Sequence, residues 1–222
     1  GLGADALGGA VNVITRKTAN YLDVSYSFGS FNTHKASING AYTNGKTGLT
    51  TRLTSFLNYS DNNYKVYVPI IDLESGQKLG NQWVKRFHDG YKSLRVRLET
   101  GFVNRPFADY LLAGIIVAGN DKDIQNGVVM ELVYGARTTD SRSVIPMLRY
   151  KKSDLFIEGW GLSFYGSYSD VDNNSTDTVP RRYNWQGEWV PNASTSSGER
   201  SRSQLHINNK EWRTNTSLNY TF

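Results

Sequence analysis

The sequence predicts an all-β fold, a partial antiparallel transmembrane β-barrel of about eight strands. Three observations predict this fold. Apolar and polar residues alternate with period two in several segments, short turns alternate with long loops, and tyrosine, glycine and small polar residues outweigh aliphatic ones. Strands of this kind are apolar on one face only, as in a barrel whose outer surface meets lipid.

The composition limits the class of protein. Hydrophobic residues make up 38% of the 222 residues, against roughly 45–50% in an ordinary soluble domain. The formal net charge is +5 without any basic run, so a nucleic-acid partner is not predicted. The chain has no Cys, which excludes thiolate metal sites, thiol nucleophiles and disulfides. No stretch approaches the roughly 18 apolar residues of a membrane helix, which leaves a barrel as the membrane-spanning option.

Five segments carry the alternation most clearly. Residues 22–28 and 34–42 have their apolar side chains at even positions, and Asn44-Gly45 then gives a strong hairpin signal. Residues 49–59, 94–102 and 212–222 continue the pattern. The side chains assigned to the lipid side include Leu53, Leu57, Val96, Leu98 and Leu218.

The opposite face is predicted to be basic. Its assigned charges are Asp23, Lys35, Arg52, Arg95, Arg97, Glu99 and Arg213. Positive side chains outnumber negative ones in this set, and a narrow lumen focuses such a field. The positive charges fit either acidic residues of a plug inside the barrel or an anionic substrate.

The connections fall into two kinds. Short turns are predicted at 44–46, 104–108 and 151–154, and long loops at 60–90, 120–142 and 170–211. Barrels of the outer membrane place their short turns in the periplasm and their long loops outside the cell. Apolar residues at helical spacing also predict a short helix within 123–134.

Aromatic residues suggest two roles. Tyr21, Tyr42, Tyr59 and Trp212 lie near predicted strand ends, where they fit either interfacial girdles or ordinary strand packing. The loop aromatics fit either ligand stacking or stabilisation of the loops. The candidates for ligand binding are Trp83, Phe87, Tyr183 and Trp185, with Trp189 beside them.

Catalysis finds no support in the sequence. His34, His88 and His206 are far apart and stand in no nucleophile motif. Asp170, Asp172 and Asp177 belong to no calcium-binding repeat, so solvated loop acids are the simpler interpretation. We therefore expect no enzyme, no cofactor and no metal site.

The N-terminal residues carry a specific motif. Residues 3–16 spell GADALGGAVNVITR. The strand-like residues after these glycines argue against a dinucleotide-binding loop, which requires a helix there. The stretch instead resembles the end of the plug domain of TonB-dependent outer-membrane receptors. The motif positions are Gly3, Ala6, Gly8, Gly9, Asn12 and Thr15. The resemblance implies a plug tail at 1–19 and the first part of a barrel at 20–222.

Other segments are similar to the Bacteroidetes type of these receptors. They are residues 61–66, 84–89, 102–109, 177–179 and 182–185. The resemblance implies a Gram-negative outer-membrane protein that takes up a scarce nutrient: a siderophore, cobalamin, a glycan or a peptide. Its implied partners are the TonB complex, reached through a region N-terminal to this sequence, outer-membrane lipid and a surface lipoprotein. Because such barrels have about twenty-two strands, we expect this chain to be a fragment that cannot transport alone and that aggregates through its open edges.

Two alternatives stay open at this point. One is a complete eight-stranded outer-membrane barrel that acts as an adhesin or structural protein. The other is a soluble β-sandwich that binds carbohydrate through its Trp and Tyr residues.

Overall fold

The protein forms one large antiparallel sheet whose long loops connect the strands at one end. The computed structural model describes residues 20–193, 197–200 and 203–221. The plug-end motif (Gly3, Ala6, Gly8, Gly9, Asn12 and Thr15) and the domain boundary at residue 19 lie outside these ranges. The described residues contain strands and no helix, so an all-β fold is confirmed. A helix long and apolar enough to cross a membrane is likewise not found among them.

Twelve strands make up the described structure. They are β1 (Tyr21–Gly29), β2 (Thr33–Thr43), β3 (Leu49–Ser60), β4 (Lys65–Ile71), β5 (Lys78–Lys85), β6 (Tyr91–Arg105), β7 (Ala108–Asp123), β8 (Thr138–Lys152), β9 (Trp160–Asp177), β10 (Arg181–Tyr183), β11 (Trp189–Pro191) and β12 (Ser203–Tyr220).

Eight of these strands build the main sheet. Their order is β1-β2-β3-β6-β7-β8-β9-β12, and every neighbouring pair is antiparallel. The predicted number of about eight strands is thus confirmed for the main sheet. Within the described ranges, β1 and β12 each have a partner on one side only, so the sheet is open.

The two ends of the strands differ in the length of their connections, as predicted. Short turns join β2 to β3, β6 to β7 and β8 to β9 at one end. At the other end, the connection from β3 to β6 contains the β4–β5 hairpin and that from β9 to β12 contains the β10–β11 hairpin. The turn from β1 to β2 also lies at this second end and is short.

The predicted long loops were too long. β7 continues to Asp123, and β9 and β12 extend to Asp177 and from Ser203. In this part of the sheet β9 is almost wholly polar, and Asp172 pairs with Asn208. On β12 only Leu205 and Ile207 alternate with polar residues, and they pair with Ser175 and Asn173. Backbone pairing nevertheless continues, because the main-chain donors and acceptors that face the neighbouring strand find their partners across the ladder.

The short helix predicted within 123–134 is wrong. The segment folds back on itself, and Gly127 N donates to Leu132 O at 2.9 Å. Val133 bridges to both Asn126 and Tyr183 and is buried among other loops. Tertiary packing therefore decides this conformation and overrides the local periodicity.

The cross-strand registers define two faces. Leu53 pairs with Leu98, Leu57 with Leu94, and Val96 with Val117, so these side chains share one face. The same face carries Leu218 on β12. We call it the apolar face. All five side chains predicted to face lipid lie on it, and most of its large side chains are exposed. The other face, here the polar face, carries the alternate residues.

Aromatic pairs mark both ends of the apolar face. Trp160 and Tyr220 have ring centroids 5.5 Å apart near the short-turn end, and Tyr168 and Trp212 lie 4.7 Å apart toward the long loops. Trp160 and Tyr168 are eight residue steps apart on β9, which corresponds to about 26 Å at roughly 3.3 Å per residue.

Tyr42 and Tyr59 also lie on the apolar face, as their registers show. The girdle interpretation is wrong for Tyr21, because it pairs with Ala41, which in turn pairs with Arg52 on the polar face.

Candidate functional site

The three long loops fold together into a compact unit, which we call the loop cap (residues 61–90, 124–137 and the described part of 178–200). Its buried centre contains Val68, Ile70, Val133 and Trp185. Val66, Val84, Met130 and Tyr183 pack around this centre. Because each loop contributes at least one member, the cap is held by contacts between loops rather than within any one of them.

The β4–β5 hairpin supplies one wall of the cap. Val66, Val68 and Ile70 occupy alternate positions on β4, so their side chains share one face, which packs inward. The intervening Lys65 and Tyr67 face outward and are exposed. The hairpin is therefore amphipathic, with its outer face free of the cap core.

Trp185 is the largest side chain of the cap centre. Its exposed fraction is 2%, and its Nε1 donates to Met130 O at 2.6 Å. The turn that follows is closed by Asn184, whose Oδ1 accepts from Gln186 N and Glu188 N. The structure therefore gives Trp185 a packing role, because its ring lies buried between loops.

Arg86 links two of the loops by its guanidinium. It donates to the Tyr64 hydroxyl at 3.0 Å and to Asn126 Oδ1, and it pairs with Asp89 at 3.1 Å. The guanidinium also lies 5.2 Å from the ring centroid of Tyr64 and 5.7 Å from that of Trp185. Such contacts are strongest where water is excluded, as it largely is here.

Gln125 provides a second link between loops. It is fully buried, and its Oε1 accepts from Phe87 N at 2.8 Å and from His88 N at 3.1 Å. The ring of His88 in turn lies 2.8 Å from Arg137 O, measured from Nε2. These bonds fix the base of the β4–β5 loop to the 124–137 segment.

Glu199 provides a third link, from the last loop. Its Oε1 accepts from Gly135 N at 2.7 Å and from Ala136 N at 3.1 Å. The Asp177 carboxylate accepts from Glu199 N and Arg200 N. Burial raises the pKa of Glu199 above its ordinary value of 4.5, although the two backbone donors pull it down. Burial also raises the pKa of Asp89, against the opposing effect of Arg86.

The raised pKa of Glu199 predicts that the cap is more stable in mild acid. A carboxyl group whose folded pKa lies above its unfolded value adds stability that is fully present below about pH 4.5 and is lost as the pH rises through the folded pKa. Asp89 acts in the same direction. We expect the urea midpoint of the cap to be higher near pH 4.5 than near pH 8. The measurement is the fluorescence of Trp185 in a variant whose other tryptophans are replaced by Phe.

The matched variant is Glu199→Gln, whose amide oxygen can still accept from Gly135 and Ala136. It should raise the midpoint near pH 8 and leave only the part of the pH dependence that Asp89 causes. A cap that loses stability on acidification would contradict the assignment.

The proposed ligand-binding aromatics lie in different surroundings. Trp83 and Phe87 are exposed, Tyr183 is partly buried and Trp185 is buried. Trp83 pairs with Tyr67 at 5.4 Å, whereas Phe87 and Tyr183 form a separate pair at 6.2 Å. The structure thus does not bring the four together, and a ligand role stays a prediction for the exposed ones.

A charge cluster lies on the polar face in the middle of the sheet. Glu99 is almost fully buried between Arg97 at 3.0 Å and Arg149 at 3.3 Å. Gly114 lies opposite Glu99, and a Cβ there would come within 2.7 Å of Glu99 Cγ. The glycine therefore leaves the space that the carboxylate arm occupies.

The predicted charges of the polar face do share one face. Registers place Asp23, Lys35, Arg52, Arg95, Arg97, Glu99 and Arg213 there. Sequence reasoning missed Arg149, which joins them through β8. The alternation around Arg149 in β8 could have indicated it, since Leu148 and Tyr150 flank it on the apolar face.

Neutralising Glu99 should destabilise the sheet. Glu99→Gln leaves Arg97 and Arg149 without a counter-charge, which costs about 3–5 kcal/mol for a fully buried pair and less here, because both guanidinium groups are about a third exposed. We expect a loss of about 1–3 kcal/mol in the free energy of unfolding, measured by urea titration. Glu211→Gln, whose partner Arg213 is well exposed, should change it by less than about 1 kcal/mol. Equal losses would contradict the buried cluster.

The three histidines lie in different parts of the described structure. His34 contacts Tyr26 and Asn32, His206 contacts Asn174 and Asp172, and His88 lies in the cap. Within residues 20–193, 197–200 and 203–221, no group of three or more potential metal ligands comes together.

The comparisons with known proteins give no match, neither to a model of a protein family nor to a curated protein.

Proposed function

We propose that the sheet is a section of the wall of an outer-membrane β-barrel, within a TonB-dependent receptor of the Bacteroidetes type that takes up a siderophore, cobalamin, a glycan or a peptide. The observation that carries the proposal is the exposed apolar face, which continues from β1 to β12. Soluble monomers rarely expose contiguous apolar patches above a few hundred Å². A lipid surrounding accounts for such a face.

The aromatic pairs support the same orientation. Barrel strands tilt by about 40°, so the 26 Å between the pairs correspond to about 20 Å along the membrane normal. The aromatic rings extend past both ends of this span and so widen the apolar band. Past Tyr168 and Trp212 the same face turns charged, with Lys210 opposite Asp170. This change fits strands that leave the lipid and continue into water.

The open edges support a larger barrel. In lipid an unpaired backbone group costs several kcal/mol, so the sides of β1 and β12 that have no partner strand among the described residues fit a wall with further strands. A closed barrel of eight strands would pair β1 with β12, which the described residues do not do. A soluble sandwich would need a second sheet on the apolar face, whereas the β4–β5 hairpin packs into the loop cap. The resemblance to receptors with about twenty-two strands accounts for both features.

The topology can be tested with epitope tags at two exposed turns. Gly76 lies in the turn of the β4–β5 hairpin and Gly45 in the β2–β3 turn, and a side chain at either position would meet no other atom within 4 Å. We expect an antibody to bind the Gly76 tag on intact cells, and the Gly45 tag only after the outer membrane is permeabilised. Access to Gly45 on intact cells would contradict the proposal.

Transport can be tested by nutrient limitation. A strain without the protein should fail to grow on one limiting nutrient among the four classes, and a strain without the energising complex should fail in the same way. Uptake that persists without the complex would exclude the TonB-dependent mechanism while leaving the barrel assignment in place.

A further inference from the structure

The outer face of the β4–β5 hairpin carries an exposed aromatic pair. Tyr67 and Trp83 lie directly opposite each other, with ring centroids 5.4 Å apart and planes tilted by 41°. Their exposed fractions are 57% and 66%, which is high for side chains of this size. Neither ring contributes to the cap core, which the other face of the hairpin fills.

A pair of lysines lies next to these rings. Lys65 and Lys85 are directly opposite each other on the same outer face, two residues along the strands from Tyr67 and Trp83. Both are exposed, and neither has an ion-pair partner among the residues that the structure describes. Like charges directly opposite on a two-stranded ribbon destabilise it. An anion bound between them would remove this repulsion.

The third element is an amide on the other side of the rings. Asn81 lies opposite Pro69 on the outer face and is exposed. The hairpin thus presents a cationic pair, two aromatic rings and an amide in sequence along one face. Aromatic rings stack on the C–H face of a sugar, amides bind its hydroxyl groups, and paired ammonium groups bind a carboxylate or sulfate.

We propose that the outer face of the β4–β5 hairpin binds an acidic saccharide, with a sugar ring against Trp83 and Tyr67 and its acidic group between Lys65 and Lys85. The cap core holds the hairpin in place, because Val68 and Ile70 anchor its inner face. If the chain takes up a nutrient as proposed above, this surface is the first contact on the outer side. The binding itself does not depend on transport.

The test is direct binding to polygalacturonate by the protein purified in detergent from cells that make it. The fully methyl-esterified polymer is the matched control, because it has the same rings without the charge. We expect binding to the acidic polymer that weakens with salt, and much weaker binding to the ester. Trp83→Ala should raise Kd by about tenfold or more. Phe156→Ala, at an exposed aromatic residue in the turn between β8 and β9, should leave Kd unchanged.

The lysine variant separates binding from folding. Lys65→Gln with Lys85→Gln should raise Kd about fivefold and reduce its salt dependence, yet raise the thermal stability of the hairpin by removing the repulsion. Lys46→Gln with Lys151→Gln, two exposed lysines at the short-turn ends of the strands, is the charge-matched control.

Three results would overturn the proposal. They are equal binding to the ester, equal binding to poly-glutamate, and wild-type affinity in the Trp83→Ala variant. If the apolar face still partitions into lipid while polygalacturonate does not bind, this inference fails and the barrel proposal stands. If the protein binds polygalacturonate but does not partition into lipid, this inference stands and the barrel proposal fails.

Discussion

Leu98→Arg is expected to lower the free energy of unfolding in lipid vesicles by about 2–4 kcal/mol. Leu98 lies in the middle of the apolar face, between Leu53 on β3 and Ile115 on β7. In the proposed barrel this position is near the bilayer centre, where a guanidinium has neither water nor a counter-ion. Urea unfolding from phospholipid vesicles measures the loss.

Two neighbours on β12 provide a matched control. Leu218 lies on the apolar face and pairs with Leu162, whereas Ser217 lies on the polar face and pairs with Ser163. Leu218→Arg should be costly, although less than Leu98→Arg because Leu218 lies nearer the short-turn end, and Ser217→Arg should cost less than about 1 kcal/mol. Equal penalties on the two faces would contradict the assignment of lipid to one of them.

Trp185→Ala is expected to open the loop cap while the sheet stays folded. Removing a buried Trp side chain costs about 3–5 kcal/mol, and the bond from Nε1 to Met130 O is lost with it. We expect amides of the 124–137 segment to exchange with solvent much faster, because their protection depends on local opening of the cap. Amides of β6 and β7 should keep their protection.

Two further variants identify the cause. Trp185→Phe keeps an aromatic ring and removes the donor, so it should cost less than Trp185→Ala. Trp189→Ala removes an exposed Trp from the neighbouring hairpin and should leave exchange in the 124–137 segment unchanged. Unchanged exchange in the Trp185→Ala variant would show that the cap does not depend on its core.

The sequence predicted the sheet wherever apolar and polar residues alternate. The faces of β1, β3 and β6 follow from this period, because a strand turns successive side chains to opposite sides. The prediction failed at the loop-side ends of β9 and β12, because β9 is almost wholly polar there and the alternation on β12 is limited to Leu205 and Ile207. Tyr21 was misplaced for a related reason, since an aromatic residue near a strand end was assigned by type and not by parity.

The loop cap could be predicted only in part. Alternation of Val66, Val68 and Ile70 indicates the inner face of β4, and this signal is present in the sequence. What covers that face comes from Val133 and Trp185, far along the chain, and no local pattern joins them. A fully buried Gln125 that accepts from two backbone amides is likewise a product of tertiary structure.

The most direct measurement of the central claim is a single-cysteine scan along β6 in lipid. The chain has no native Cys, so each substitution gives one reactive thiol. Cysteines at Leu94, Val96 and Leu98 should react with a lipid-soluble maleimide and resist a charged, membrane-impermeant thiol reagent, whereas those at Arg95 and Arg97 should show the reverse. Reaction of both sets with the charged reagent at similar rates would contradict a sheet whose apolar face meets lipid.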